Sequence, residues 1–142
     1  MATMGPTRLE DTMDAQTYEN VLTALRGEAV AHARYLLFAT AARKRGEPRL
    51  ASMFEGIAAV ELQEHFDELA ELAELVGTDA DNIRAAIQDE NLEVEWTYPK
   101  FAEQARSAGE VAVAERFEEM AEDEREHEKT LEGALEQLEV PA

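Results

Sequence analysis

Glu124 and His127 stand three residues apart in the stretch Glu124-Arg125-Glu126-His127, within a strongly helical segment. That spacing puts both side chains on one face of a helix. The face is otherwise apolar at helical period, running Val113, Phe117 and Met120 before the pair and Leu131, Leu135 and Leu138 after it. Two ionisable groups thus point where a core should be. Burying a carboxylate is costly unless something neutralises it, and for Glu beside His a metal ion is the most economical partner. Glu124 and His127 are candidate metal ligands.

The same interruption recurs in the helices that must accompany this one. Residues 16–45 form one apolar face through Val21, Leu25, Tyr35 and Ala39, with Glu28 in its middle. Gly46 stops that helix, and Pro48 suits the first turn of the next, whose face reads Leu50, Phe54, Ile57, Glu61, Leu72 and Leu75. A helix stop at Gly77 and capping residues from Thr78 place the start of a third helix between Thr78 and Asn82; its face holds Ile83, Ile87, Glu90, Glu93 and Phe101. Pro99 must kink this helix or relocate a backbone hydrogen bond, and Gly109 separates it from the fourth helix, which runs to about Leu138. Residues 1–15 have no apolar stripe and read as a loose arm before one domain, 16–140, made of the hairpins 16–76 and 79–138.

The two hairpins are copies. A shift of 63 residues pairs Tyr35 with Tyr98, Phe38 with Phe101, Arg43 with Arg106, Gly46 with Gly109, Phe54 with Phe117, Glu55 with Glu118 and Glu61 with Glu124. Glu28 pairs with Glu90 only if one residue is inserted before Tyr98, and one extra residue inside a helix is the usual origin of a π-bulge. Four helices thereby bring one inward Glu each, and the last adds a His. This is close to the carboxylate-bridged pattern in which four helices surround two metal ions.

Composition narrows the function. Ala, Glu and Leu dominate, and an all-α protein follows. The 142 residues suit one domain. A formal charge of −19 argues against nucleic acid and anionic membranes as partners, and most of the acids solvate outer helix faces. The sequence has no Cys, so it offers no thiolate nucleophile, no Cys-held zinc and no iron–sulfur centre; any metal must be held by Glu and His. No apolar run reaches the roughly 18 residues of a membrane span, and a cytoplasmic location is the default expectation.

From about Val21 to Leu138 the chain resembles the rubrerythrin family of ferritin-like di-iron proteins. The resemblance is carried by Gly27-Glu28 with Arg34-Tyr35, by Glu61, by Glu90-x-x-Glu93 with Tyr98-Pro99, and by Glu124-x-x-His127. It implies a ferritin-like four-helix bundle holding two iron ions per site, with manganese or mixed metal also compatible with so many oxygen donors. It implies Glu28, Glu61, Glu90, Glu93, Glu124 and His127 as ligands, and Tyr35 and Tyr98 as hydrogen-bond donors around them. The family's first Glu-x-x-His places a His at residue 64, where this chain has Glu64 followed by His65. Both repeat and resemblance align Glu64 with His127, so Glu64 is the preferred ligand and His65, four residues after Glu61, the alternative. Otherwise His65, like His32, is a solvated or supporting imidazole.

The resemblance also implies peroxide or dioxygen chemistry. The Cys-rich rubredoxin module that hands electrons to the family's iron pair has no counterpart in these residues, so electrons come from a separate donor protein or from incoming ferrous iron. The expected function is reduction of hydrogen peroxide with an external donor. The alternatives are a ferroxidase that handles iron and a non-enzymatic metal-binding bundle. A homodimer with exchanged hairpins is expected, because in ferritin-like bundles the second and third helices run parallel. The return path of about 35 Å is beyond the roughly 18 Å that the short link from Gly77 to Asp81 can span.

Overall fold

The computed structural model describes residues 13–139. The expected N-terminal arm falls almost wholly outside the described residues, as does the tail from Val140. Everything described is helix, turn or short link, as the composition requires, and the chain divides into two units after Val76. Each unit is a helical hairpin.

The first hairpin opens with α1 (Ala15–Lys44), whose N-cap Asp14 accepts hydrogen bonds from the backbone N–H groups of Gln16 and Thr17. Its other end turns at Gly46, which takes φ 78°, a left-handed value that costs glycine little. There Gly46 N–H reaches Arg43 C=O and Glu47 N–H reaches Ala42 C=O, closing a Schellman cap. Pro48, which has no N–H to lose, starts α2 (Pro48–Val60). The rod continues through a π-helical turn, π1 (Glu61–Phe66), into α3 (Asp67–Leu72). It ends four residues before Val76, because Leu75 N–H turns back to Ala70 C=O and Glu74 adopts φ 48°.

The second hairpin repeats this plan. Thr78 caps α4 (Asp79–Leu92), which passes through π2 (Glu93–Thr97) into α5 (Tyr98–Ser107). A Schellman cap at Gly109, φ 80°, then leads into α6 (Val111–Glu139). The relocated hydrogen bond expected around Pro99 is found: Tyr98 N–H bonds to Glu93 C=O, five residues back, so the helix widens just before the residue that cannot donate. The wide turn π1 is of the same kind, with Asp67 N–H reaching Leu62 C=O.

Within each hairpin the helices meet along small residues. Ala39, Ala42 and Ala51 form the seam of the first, with Phe54 packed on it; Ala102, Ala105 and Ala114 form that of the second, with Phe117 in the same place. Alanine at these points lets the backbones approach, and each phenylalanine, partly buried, covers the seam for a part of the roughly 1.5–3 kcal/mol that full burial gives. Tyr35 stacks on Phe54 and Tyr98 on Phe117, with ring centroids 6.1 and 6.0 Å apart. Beside each turn an arginine ties the two helices, Arg43 to Glu55 through both carboxylate oxygens and Arg106 to Glu118 through one. No helix among the described residues is long and apolar enough to cross a membrane.

Candidate metal centre

Each hairpin gathers two glutamates and one histidine, by the same construction. In the first, α1 supplies Glu28 and π1 supplies Glu61 and His65; their donor atoms lie within 4.8 Å of one another. His65 Nδ1 stands 3.2 Å from Glu61 Oε2 and 3.7 Å from Glu28 Oε2. In the second, α4 supplies Glu90 and α6 supplies Glu124 and His127, again within 4.8 Å. His127 Nδ1 stands 2.6 Å from Glu124 Oε2 and 3.8 Å from Glu90 Oε1.

The carboxylates are largely enclosed and the imidazoles are not. The Glu61 and Glu124 side chains are 16% and 20% exposed, against 49% for His65 and 61% for His127. Each cluster therefore has a covered floor of acids and an open histidine edge. Glu64 is exposed and belongs to neither cluster. The reason is π1: its wider turn needs one more residue to come round to the same face, so the fourth residue after Glu61 arrives where the third would in an α-helix. In α6, which has no such turn, the third residue after Glu124 is the histidine.

The electrostatics of both clusters call for positive charge. Hydrogen bonding with Glu61, together with burial, raises the Glu28 carboxyl above its ordinary range, while the same hydrogen bond and that from His65 lower Glu61. In the second cluster burial comes first and the hydrogen bond with Glu124 next in raising Glu90; Glu124 is lowered by its hydrogen bonds to Glu90 and His127. Both histidines are raised, His65 by its hydrogen bond to Glu61 and His127 by its bond to Glu124. Protons thus take up part of the charge that the acids leave unbalanced. One acceptor is left over: Glu90 Oε2 is buried and has no hydrogen-bond partner. An orphaned carboxylate oxygen in a floor of acids fits a cation.

Two other predicted residues stand beside the second cluster. Glu93, at the start of π2, is raised by burial and by the charges of Glu124 and Asp89. The Tyr98 hydroxyl is raised by burial and by Glu93, Glu124 and Glu90, so the phenol keeps its proton. Tyr35 holds the corresponding place on α1, half-buried between Phe38 and Phe54.

Helical hairpins that each present two carboxylates and a histidine define a class of helical protein with carboxylate-rich, histidine-assisted candidate metal sites. The sequence profile of the rubrerythrin family matches the chain in two stretches, residues 19–90 and 81–141. Over 130 residues the chain is 35% identical to a rubrerythrin of Porphyromonas gingivalis, an alignment covering 81% of this chain and 64% of that protein. It is 32% identical to rubrerythrin-1 of Clostridium acetobutylicum, covering 87% and 72%. With a symerythrin of Cyanophora paradoxa the identity is 31%, covering 73% of each. The chain belongs to the rubrerythrin family. It spans a little under two thirds of the length of the Porphyromonas relative.

Proposed function

We propose that this protein is a di-iron oxidoreductase that reduces hydrogen peroxide with electrons from an external donor. The observation that carries the reading is the pair of matched Glu-Glu-His clusters, each with raised and lowered carboxyls that a cation would balance. Glu28, Glu61 and His65 would hold one metal ion of the pair, and Glu90, Glu124 and His127 the other. Glu93 is a further carboxylate on the second side, and Glu64 stays outside. Manganese is the competing occupant.

Iron, when bound, supplies the two electrons that cleave the O–O bond, and two protons complete the conversion of peroxide to water. The chain's own part is to hold the donors and manage those protons. Tyr98, kept as a phenol by the acids around it, presents an O–H beside Glu93. The enclosed acids keep bulk water off the floor of each half-site.

The site is completed by two chains. Leu72 lies 11 residues past Glu61, and Asp79 lies 11 before Glu90. If the two helices run parallel, as in a ferritin-like bundle, a chain closing its own site must return about 33 Å. The residues between, 73–78, cannot reach beyond about 25 Å when fully extended. Exchange of hairpins in a homodimer removes the conflict and gives two sites per dimer.

Metal analysis after anaerobic reconstitution with ferrous iron tests the metal reading: two irons per chain are expected, and their loss in Glu61→Ala plus Glu124→Ala. Stopped-flow oxidation of the reduced protein tests the reaction. Faster oxidation by peroxide than by dioxygen is expected, whereas preference for dioxygen with continuing iron turnover would make it a ferroxidase. For assembly, Glu61→Ala and Glu124→Ala chains are unfolded and refolded together. Exchange regains one intact site in mixed dimers, and unexchanged chains regain none.

A further inference from the structure

His32 is on α1, one turn beyond Glu28, and its Nδ1 lies 2.7 Å from the carbonyl oxygen of Ala58 on α2, in a partly buried place. A carbonyl oxygen only accepts, so Nδ1 carries the proton and the imidazole is held in one tautomer. Ala58 is itself fully buried, and its carbonyl shares the Glu61 N–H with Ile57 C=O at the last α turn before the helix widens into π1. His32 therefore grips the helix at the junction from which Glu61 and His65 are presented.

The duplicated hairpin serves as a control within the same molecule. Four residues past Glu90, where the first hairpin has His32, stands Val94, a buried side chain with no donor to offer. The counterpart of Ala58 is Ala121, and α6 continues from it through Glu124 and His127 without any wide turn. Seam alanines, stacked aromatics and arginine tie are common to both hairpins; the imidazole tether occurs only in the hairpin whose second helix carries a π turn at its ligands.

We infer that His32 is a positioning residue: its Nδ1–H bond to Ala58 C=O holds the α-to-π junction and so makes His65, rather than Glu64, the third donor of the first cluster. The inference rests on the metal-binding reading above. Without the tether only the packing of α3 on α1 opposes closure to plain α geometry, in which Glu64 takes the place three residues after Glu61 and His65 turns away.

The test uses cobalt(II) as probe and counts the paramagnetically shifted imidazole N–H resonances of the loaded full-length protein. Two sets are expected in the wild type, from His65 and His127, and only the His127 set in His32→Val, the residue the second hairpin already uses. His32→Asn, whose side-chain amide can donate from nearly the same point, should restore both. Two sets in all three proteins would overturn the inference while leaving the metal sites standing; no cobalt binding in the wild type would instead remove the metal reading on which it rests. A check that needs no variant is the nitrogen-15 spectrum of the metal-free wild type. A proton on Nδ1 of His32, slow to exchange, is required, and the opposite tautomer would overturn the tether itself.

Discussion

His65 Nδ1 lies 3.2 Å from Glu61 Oε2, four residues earlier in the chain, while the exposed Glu64 between them joins no cluster. On the proposed reading this placement makes His65 the donor that completes the first half-site. His65→Ala should weaken cobalt or ferrous binding there at least about tenfold, or about 1.4 kcal/mol, whereas Glu64→Ala should leave it within about threefold. Anaerobic titration of each variant, with His127→Ala as the reference for the second cluster, reads the difference.

Stability should respond to pH in opposite senses with and without metal. His65 and His127 are raised, so their contribution to the metal-free fold is complete below the ordinary histidine pKa and is lost as pH rises through their folded values. Glu28, Glu90 and Glu93 are raised too, and their contribution is complete below the ordinary carboxyl range and lost as pH rises above it. Glu61 and Glu124 are lowered and act the other way, losing their contribution only in acid below the ordinary carboxyl range. The metal-free protein should thus gain thermal stability as pH falls from 8 toward 5.5. Metal binding must displace these protons, so the extra stability of the loaded protein should grow as pH rises. Thermal scans of both forms across that range check the crossing.

Three helix ends share one cap, and only two have the residue it favours. Gly46, Gly109 and Glu74 occupy the left-handed position with φ 78°, 80° and 48°. The cap bonds run to Ala42, Ala105 and Ala70 in turn. Glu74→Gly should stabilise the protein by about 0.5–1 kcal/mol, and Gly46→Ala or Gly109→Ala should destabilise it by about 1 kcal/mol. Chemical denaturation of the metal-free variants measures both signs.

The seams should tolerate additions poorly. Ala51 and Ala58 have no exposed surface, and a leucine at either forces the helices apart at a cost of about 1–3 kcal/mol. Ala58→Leu should also disturb the first cluster, because Glu61 follows one turn later, whereas Ala51→Leu should lower stability with less effect on metal affinity. Denaturation and cobalt titration on the two variants separate the effects.

Much of this was legible in the chain. Gly46, Pro48, Thr78 and Gly109 mark the ends of elements by turn chemistry that depends on one or two residues, and the structure places them there. Glu28, Glu61, Glu90, Glu124 and His127 interrupt apolar stripes, which is visible wherever α periodicity holds. The third member of the first cluster was obscured because periodicity fails there: reading Glu61 and Glu64 as α neighbours presumes the turn that π1 replaces. A signal was present nonetheless. Glu61 pairs with Glu124 at a shift of 63 but His65 with His127 at 62, the same one-residue slip that separates Glu28 and Glu90 from Tyr35 and Tyr98. Each slip coincides with a wide turn.

An added residue in an ordinary α-helix rotates everything beyond it by about 100°, so an insertion near a ligand would carry the rest of the rod off its partner. Both wide turns here contain that rotation within five or six residues, after which regular helix resumes in α3 and α5. A one-residue change in length at such a turn therefore alters which side chain, carboxylate or imidazole, stands at one corner of the cluster, while the alanine seams and caps on either side keep their register.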